Sequence, residues 1–260
     1  GYNPYRITKS GIDWEKPDPN DPWANIGYWG DHQIIYLLKF LEFSGDYHPG
    51  TLRDFLTSDL FCYANVPYRI KSYNDLLKDP HNTIDFDDAA ETLIDQRVDQ
   101  VGADGRLLWD QQGSVYYVNL TEKLLATVLS KLSNFIPEGG IWMNTQRPEW
   151  NDANNALVGF GVSMVTLYYT RRYQQYLLDL FSEVEFEEVA ISKEIADLLN
   201  AINSTFENHR HLLAGKISDA DRKQILDSLG KAGSEFRGSV YEHSFAGDRV
   251  LVKTSDLVAF

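Results

Sequence analysis

Glu149-Trp150-Asn151-Asp152-Ala153-Asn154-Asn155 packs two carboxylates, three amides and an indole into seven residues. A plain connector needs little more than Gly, Ser and one Asp. This density suits a surface that meets many hydroxyl groups. Tyr28-Trp29-Gly30-Asp31-His32-Gln33 is a second such cluster. Both stretches run from a loop into an apolar periodic segment. Polar side chains at such junctions reach a ligand while the helix behind them stays apolar.

The chemistry available is that of paired carboxylates. Inverting cleavage of a glycosidic bond needs a protonated acid and an ionised base about 6.5–9.5 Å apart, with water between them. A phosphorylase puts phosphate where the water and base would stand, and phosphate calls for Arg, His or backbone amides. Apolar burial or a second carboxylate raises the pKa of the acid. Glu149 beside Trp150, three residues from Asp152, meets that requirement. Glu149 and Asp152 are therefore the candidate acids. Asp31 and Glu122 are the candidate bases. Trp29, Trp142 and Trp150 are candidate ring platforms; Asp31, His32, Arg147, Asn151 and Asn155 are candidate hydrogen-bonding groups. Each has a plainer reading beside it. Asp31 and Asp152 sit where helix caps belong. His32 reads first as a packed or exposed histidine, since no paired nucleophile accompanies it. The tryptophans fill cores as readily as they stack on sugars. Arg147-Pro-Glu149 makes a local ion pair as well as a phosphate contact.

Apolar periodicity supplies the elements that hold these groups. Ile34, Leu37, Leu38 and Leu41 predict a helix from Asp31 to Phe43, and Thr51 to Phe61 a shorter one. Asp85 to Val101 reads as a helix with a solvated acidic face; it lacks the alternating ligands and central Gly of a calcium loop. Asn119 and Glu122 form a capping-box pattern ahead of Leu124, Val128 and Leu132. Leu157 to Phe181 reads as the longest helix, apolar around most of its circumference. Ser192 to Leu213 and Ser218 to Leu229 follow. Residues 230–249 are Gly-rich and polar, and 249–260 alternate weakly as a strand would.

The expected fold is all-α: about seven helices in hairpins, with little β structure. Three parts are expected: an irregular aromatic and Pro-rich lead-in over 1–30, a helical-hairpin domain over 31–230 and a tail over 231–260. A net charge of −14 argues against nucleic acid and anionic membranes as partners. The single Cys62 excludes an internal disulfide and a Cys-based metal cage. No signal or spanning segment is evident, which points to the cytoplasm. Neither a metal nor another cofactor is implied.

The Glu149–Asn155 stretch resembles the acidic-Trp-Asn-Asp loop of cellobiose-phosphorylase-like enzymes and their six-hairpin glycosidase relatives. Trp29-Gly30-Asp31-His32 resembles the element that opens a barrel helix in the same enzymes. The resemblance implies that the helical hairpins form all or part of an α/α toroid. It also implies a general acid in the 149–152 loop, a saccharide substrate and, for a phosphorylase, inorganic phosphate. The chain departs from the family pattern at Glu149, where the family has Asp, and at Ala153, where it usually has Gly. Twelve helices make a complete toroid, so the resemblance implies a segment of a longer chain. The alternatives are a non-catalytic helical module that binds sugar or protein, and a structural segment of a larger enzyme.

Overall fold

The structure, a computed structural model, describes residues 5–8, 11–14, 31–48, 50–144 and 159–260. Its helices are α1 (Asp31–Tyr47), α2 (Thr51–Phe55), α3 (Tyr73–Lys78), α4 (Asp88–Val101), α5 (Leu120–Leu132), α6 (Met164–Ser182), α7 (Lys193–His209), α8 (Asp219–His243) and α9 (Thr254–Ala259). Eleven short strands lie between them: β1 (Tyr5–Thr8), β2 (Gly11–Trp14), β3 (Phe61–Cys62), β4 (Tyr68–Ile70), β5 (Ile84–Phe86), β6 (Tyr117–Val118), β7 (Phe135–Ile136), β8 (Gly140–Trp142), β9 (Val162–Ser163), β10 (Glu188–Ser192) and β11 (Arg249–Lys253). They pair antiparallel as β1-β2, β3-β6, β4-β5, β7-β8-β9 and β10-β11.

These five sheets overturn the all-α expectation. The protein is mixed, with helices dominant and small antiparallel sheets stitching their ends. The longest strands also show why a period of 3.6 misses them. In β10, Val189 and Ile191 point inward with exposed Glu188 before them and half-buried Ala190 between them, a period-two pattern that is short and ends at buried Ser192. The lead-in is likewise not wholly irregular, because β1 and β2 pair from Tyr5↔Trp14 to Thr8↔Gly11.

The core is built around α5. Leu120, Leu124, Leu125, Val128, Leu129 and Leu132 are buried, and so are the polar Thr121 and Glu122. Asn119 caps this helix by accepting from the Glu122 amide at 3.0 Å. Packed around α5 are α1, α6, α7 and α8. On α6 the buried side chains are Thr166, Thr170, Tyr173, Leu177 and Phe181, a single stripe. Met164, Val165 and Tyr168 are exposed, so this helix is not buried on several sides as its composition suggests.

The predicted end at Leu229 is also wrong, since α8 runs unbroken from Asp219 to His243. Gly230 and Gly233 lower helix propensity, yet both serve packing. A Cβ at Gly230 would overlap the Tyr73 ring, and one at Gly233 would overlap the Ser133 side chain. Close approach of neighbouring elements outweighs the entropic cost of glycine here. The residues beyond the helix are docked: β11 pairs with β10 from Glu188↔Lys253 to Ser192↔Arg249, and α9 packs on α6.

Asp87 starts α4 by accepting from the Ala90 amide at 2.9 Å, and it pairs with Arg69 Nε at 3.1 Å. The backbone bond from Ala90 is the largest cause holding its carboxyl below the usual range, with Arg69 adding to it. A carboxyl whose pKa is depressed on folding stabilises the fold above its unfolded pKa. That contribution is lost as pH falls through the folded value. Asp87→Ala therefore lowers stability at pH 7 by about 1 kcal/mol, the usual worth of a cap. The difference from wild type shrinks towards pH 3. Urea midpoints at the two pH values measure this, and an unchanged difference would contradict it.

Candidate functional site

Of the candidate residues, Trp29, Arg147, Glu149, Trp150, Asn151, Asp152 and Asn155 lie outside the described residues. What is described is the frame on either side of them.

The segment 145–158 leaves and re-enters through a closed hairpin base. Ile141 pairs with Ser163 and Trp142 with Val162. The ladder then extends outward: Met143 N–H donates to Gly161 O at 3.0 Å, and Gly159 N–H donates to Met143 O at 2.6 Å. The Trp142 indole N–H donates to Gly159 O at 3.1 Å, and its ring is buried with Tyr73 and Leu76. Trp142 is thus placed in a core cluster at the base of the loop rather than on an open face. Gly159 has φ of 82°, and a Cβ there would overlap Pro80. His81 meets Phe160 with ring centroids 5.0 Å apart. The turn after α3 therefore braces Gly159 and Phe160.

Asp31 and His32 occupy the first turn of α1. This helix runs parallel to α6, as three pairs show. Arg172 donates to Glu42 at 3.0 Å, the Tyr176 hydroxyl donates to Leu41 O at 3.0 Å, and Arg53 in α2 pairs with Glu183. Glu42/Arg172 and Arg53/Glu183 advance along the chain together, and the Tyr176 hydroxyl, which reaches back to Leu41 O, stands beside Gly45 between them. Counting back from Glu42, Asp31 lies about 16 Å up the axis; counting back from Arg172, Met164 lies about 12 Å up its own. The start of α1 and the exit of the 145–158 segment therefore stand at the same end of the helix pair.

Glu122, the other candidate base, has a different place. It is fully buried, and both of its oxygens are occupied. Oε1 accepts from the Tyr63 hydroxyl at 3.0 Å and from Ser192 Oγ at 2.7 Å. Oε2 accepts from the Ser192 amide at 2.8 Å and from Arg249 Nη1 at 3.0 Å. Tyr116 completes the cluster, 2.7 Å from Ser192 Oγ. Four donors saturate one carboxylate, so no lone pair is left to take a proton from water. Glu122 ties α5, β10, β11 and the segment that follows β3 together and is not a base. Burial first, then the Glu122 charge, pushes the Tyr63 phenol well above its usual pKa, so it remains a donor. Nothing in the sequence pairs Glu122 with Ser192 or Arg249, because the contacts span 70 and 127 residues.

Among the described residues, no three His, Cys, Asp or Glu side chains converge as metal ligands. No described helix is long and apolar enough to cross a membrane. No family model matches the chain, and neither does any curated protein.

Proposed function

We propose that the chain is a carbohydrate-active protein, the whole or a part of a unit that cleaves a glycosidic bond by hydrolysis or phosphorolysis. The proton donor in this reading is Glu149 or Asp152. Asp31 and Asn151 hold sugar hydroxyls, and the indoles of Trp29 and Trp150 supply stacking faces. A saccharide is the substrate, with inorganic phosphate as second substrate if the reaction is phosphorolysis. The observation that carries the reading is the parallel run of α1 and α6. It brings the start of α1 to the end from which the 145–158 segment emerges, as two halves of one site require. The likeness of both stretches to cellobiose-phosphorylase-like enzymes supports the same assignment.

Calorimetry over a panel of neutral mono- and disaccharides, with and without phosphate, tests it. Saturable binding weakened by Asp31→Asn is the expected result. A folded protein that binds no neutral sugar, or binds one equally well after that change, overturns the shared site.

A second reading, a non-catalytic module or a structural segment of a larger enzyme, draws on one observation. Phe40, Phe43 and Tyr47 are 71%, 60% and 66% exposed along one side of α1. An aromatic stripe of that kind marks a surface for another polypeptide.

A further inference from the structure

A cleft of about 510 Å³ opens between α4 and the last turns of α8. Leu226 of α8 packs beside Trp142 at the hairpin base, whereas Tyr241 lines the cleft. Fifteen residues of helix separate them, about 22 Å. One wall is the α4 stripe Ala90, Leu93 and Arg97, at the i, i+3, i+7 spacing of one helix face. Facing it are Val240 and Tyr241. Trp109 closes one end, and the cleft volume suits a mono- or disaccharide.

Two guanidinium groups lie over aromatic faces here. Arg97 Cζ is 4.8 Å from the Trp109 ring centre, and Arg69 Cζ is 4.8 Å from that of Tyr241. Stacking fixes the plane of a guanidinium and leaves its N–H edge to bond in that plane. The Arg69 edge is already taken, by Asp87 at 3.1 Å and Val66 O at 3.3 Å. Among the described residues, no acceptor takes the N–H groups of Arg97. It is a pre-oriented donor fork at the edge of a ligand-sized cleft. Neither cleft carboxylate forms an ion pair with it. Asp110 accepts the amides of Gln112 and Ser114 in its own turn, both at 2.9 Å, and Glu242 lies against His243 at 3.5 Å. Around the fork stand groups suited to hydroxyls. The Tyr241 oxygen accepts from Ile70 N at 3.3 Å and keeps its own proton to donate, and the Asn65 side chain lines the same wall. Leu93, 44% exposed, offers an apolar surface for the C–H face of a ring.

We infer that this cleft is a second binding site, for a sugar ring that carries an anionic group, with Arg97 as the bidentate anion contact. A carboxylate (a sugar acid) and a phosphate ester share that chemistry. The site uses none of the residues proposed for the first one, so its test is kept apart from that of neutral sugars.

The intact 260-residue chain is titrated with glucuronate, with glucose 6-phosphate, with glucose and with inorganic phosphate, by calorimetry and by the NMR signals of arginine Nε–H groups. The expected result is saturable binding of one or both anionic sugars, with a shift of the Arg97 signal. Binding should be at least about tenfold tighter than that of glucose or of phosphate alone. Arg97→Gln should weaken it about tenfold or more, and Arg97→Lys, which keeps the charge but loses the fork, should recover part. Glu149→Gln and Asp31→Asn should leave it unchanged, which separates this site from the one proposed above. Whichever anionic sugar binds identifies the source. The inference is overturned if neither binds up to roughly 10 mM, if phosphate alone binds as well, or if Arg97→Gln with an unchanged melting temperature binds normally.

Discussion

Glu122→Ala lowers the melting temperature by roughly 6–20 °C. Truncation leaves the Arg249 guanidinium, the Ser192 amide and hydroxyl, and the Tyr63 hydroxyl facing a void where a carboxylate stood. Each buried donor left without its acceptor costs about 1–3 kcal/mol, about 3–5 kcal/mol for the Ser192 and Tyr63 groups together, whereas Arg249, 25% exposed, keeps Asp59 and Tyr117 O. For a chain of this size each kcal/mol is worth about 2–4 °C. Glu122→Gln is also harmful, by less. The amide keeps one acceptor oxygen but sets an NH2 against groups that themselves donate. Arg249→Met costs less in the Glu122→Ala background than in wild type, since the pair with Glu122 is already broken. A double-mutant cycle by thermal denaturation measures that coupling. A Glu122→Ala protein that melts within about 2 °C of wild type would mean that the cluster binds no more tightly than an exposed pair.

Among changes to activity, Glu149→Gln and Asp152→Asn have the largest expected effect. In the proposed reaction one of the two carboxyls protonates the glycosidic oxygen. A positioned general acid contributes about 10²–10⁴ in rate, so one variant loses turnover by that factor on a natural glycoside. Its loss is much smaller on a substrate with an acidic phenol as leaving group, which departs without protonation. The other variant shows no such selective recovery. This pattern separates an acid from a residue that merely holds the loop. Equal, modest losses for both variants on both substrates would remove the general acid from this loop.

Helix starts were the most legible part of the fold, because a cap is a local device. Asn119 and Ser218 each accept an amide three residues on, and such a residue before an apolar run announces itself; Ser163 does the same for α6, yet the expected start of that helix is Leu157. Helix ends and strands were less legible. At Gly230 propensity argues for a stop, but the Tyr73 ring needs the space a glycine leaves, and that demand comes from a residue more than 150 positions away. β10 carries its own alternation, Val189 and Ile191, but is not among the expected strands, whereas its partner β11, some sixty residues on, falls in the stretch whose weak alternation suggests one. The fully buried carboxylate shows the limit most sharply. Glu122 in sequence is a capping-box residue; in three dimensions it is an anchor for three distant segments. The same holds for Arg97 and Trp109, ordinary residues until α4 and the strand-like turn after Arg106 set them face to face.

The parallel pairing of α1 with α6 bears on biosynthesis. Parallel neighbours are not closed by a tight turn, and the pairs that fix this one span 130 residues or more. On a ribosome that adds about 5–20 residues per second, α1 therefore emerges roughly 6–26 s before the helix that covers it. During that interval both its core side, with Ile34, Leu38 and Leu41, and its aromatic side, with Phe40, Phe43 and Tyr47, meet solvent. A nascent helix apolar on two sides is a holdase substrate. The first fifty residues should therefore set how much chaperone the chain demands, and slowing translation should increase that demand.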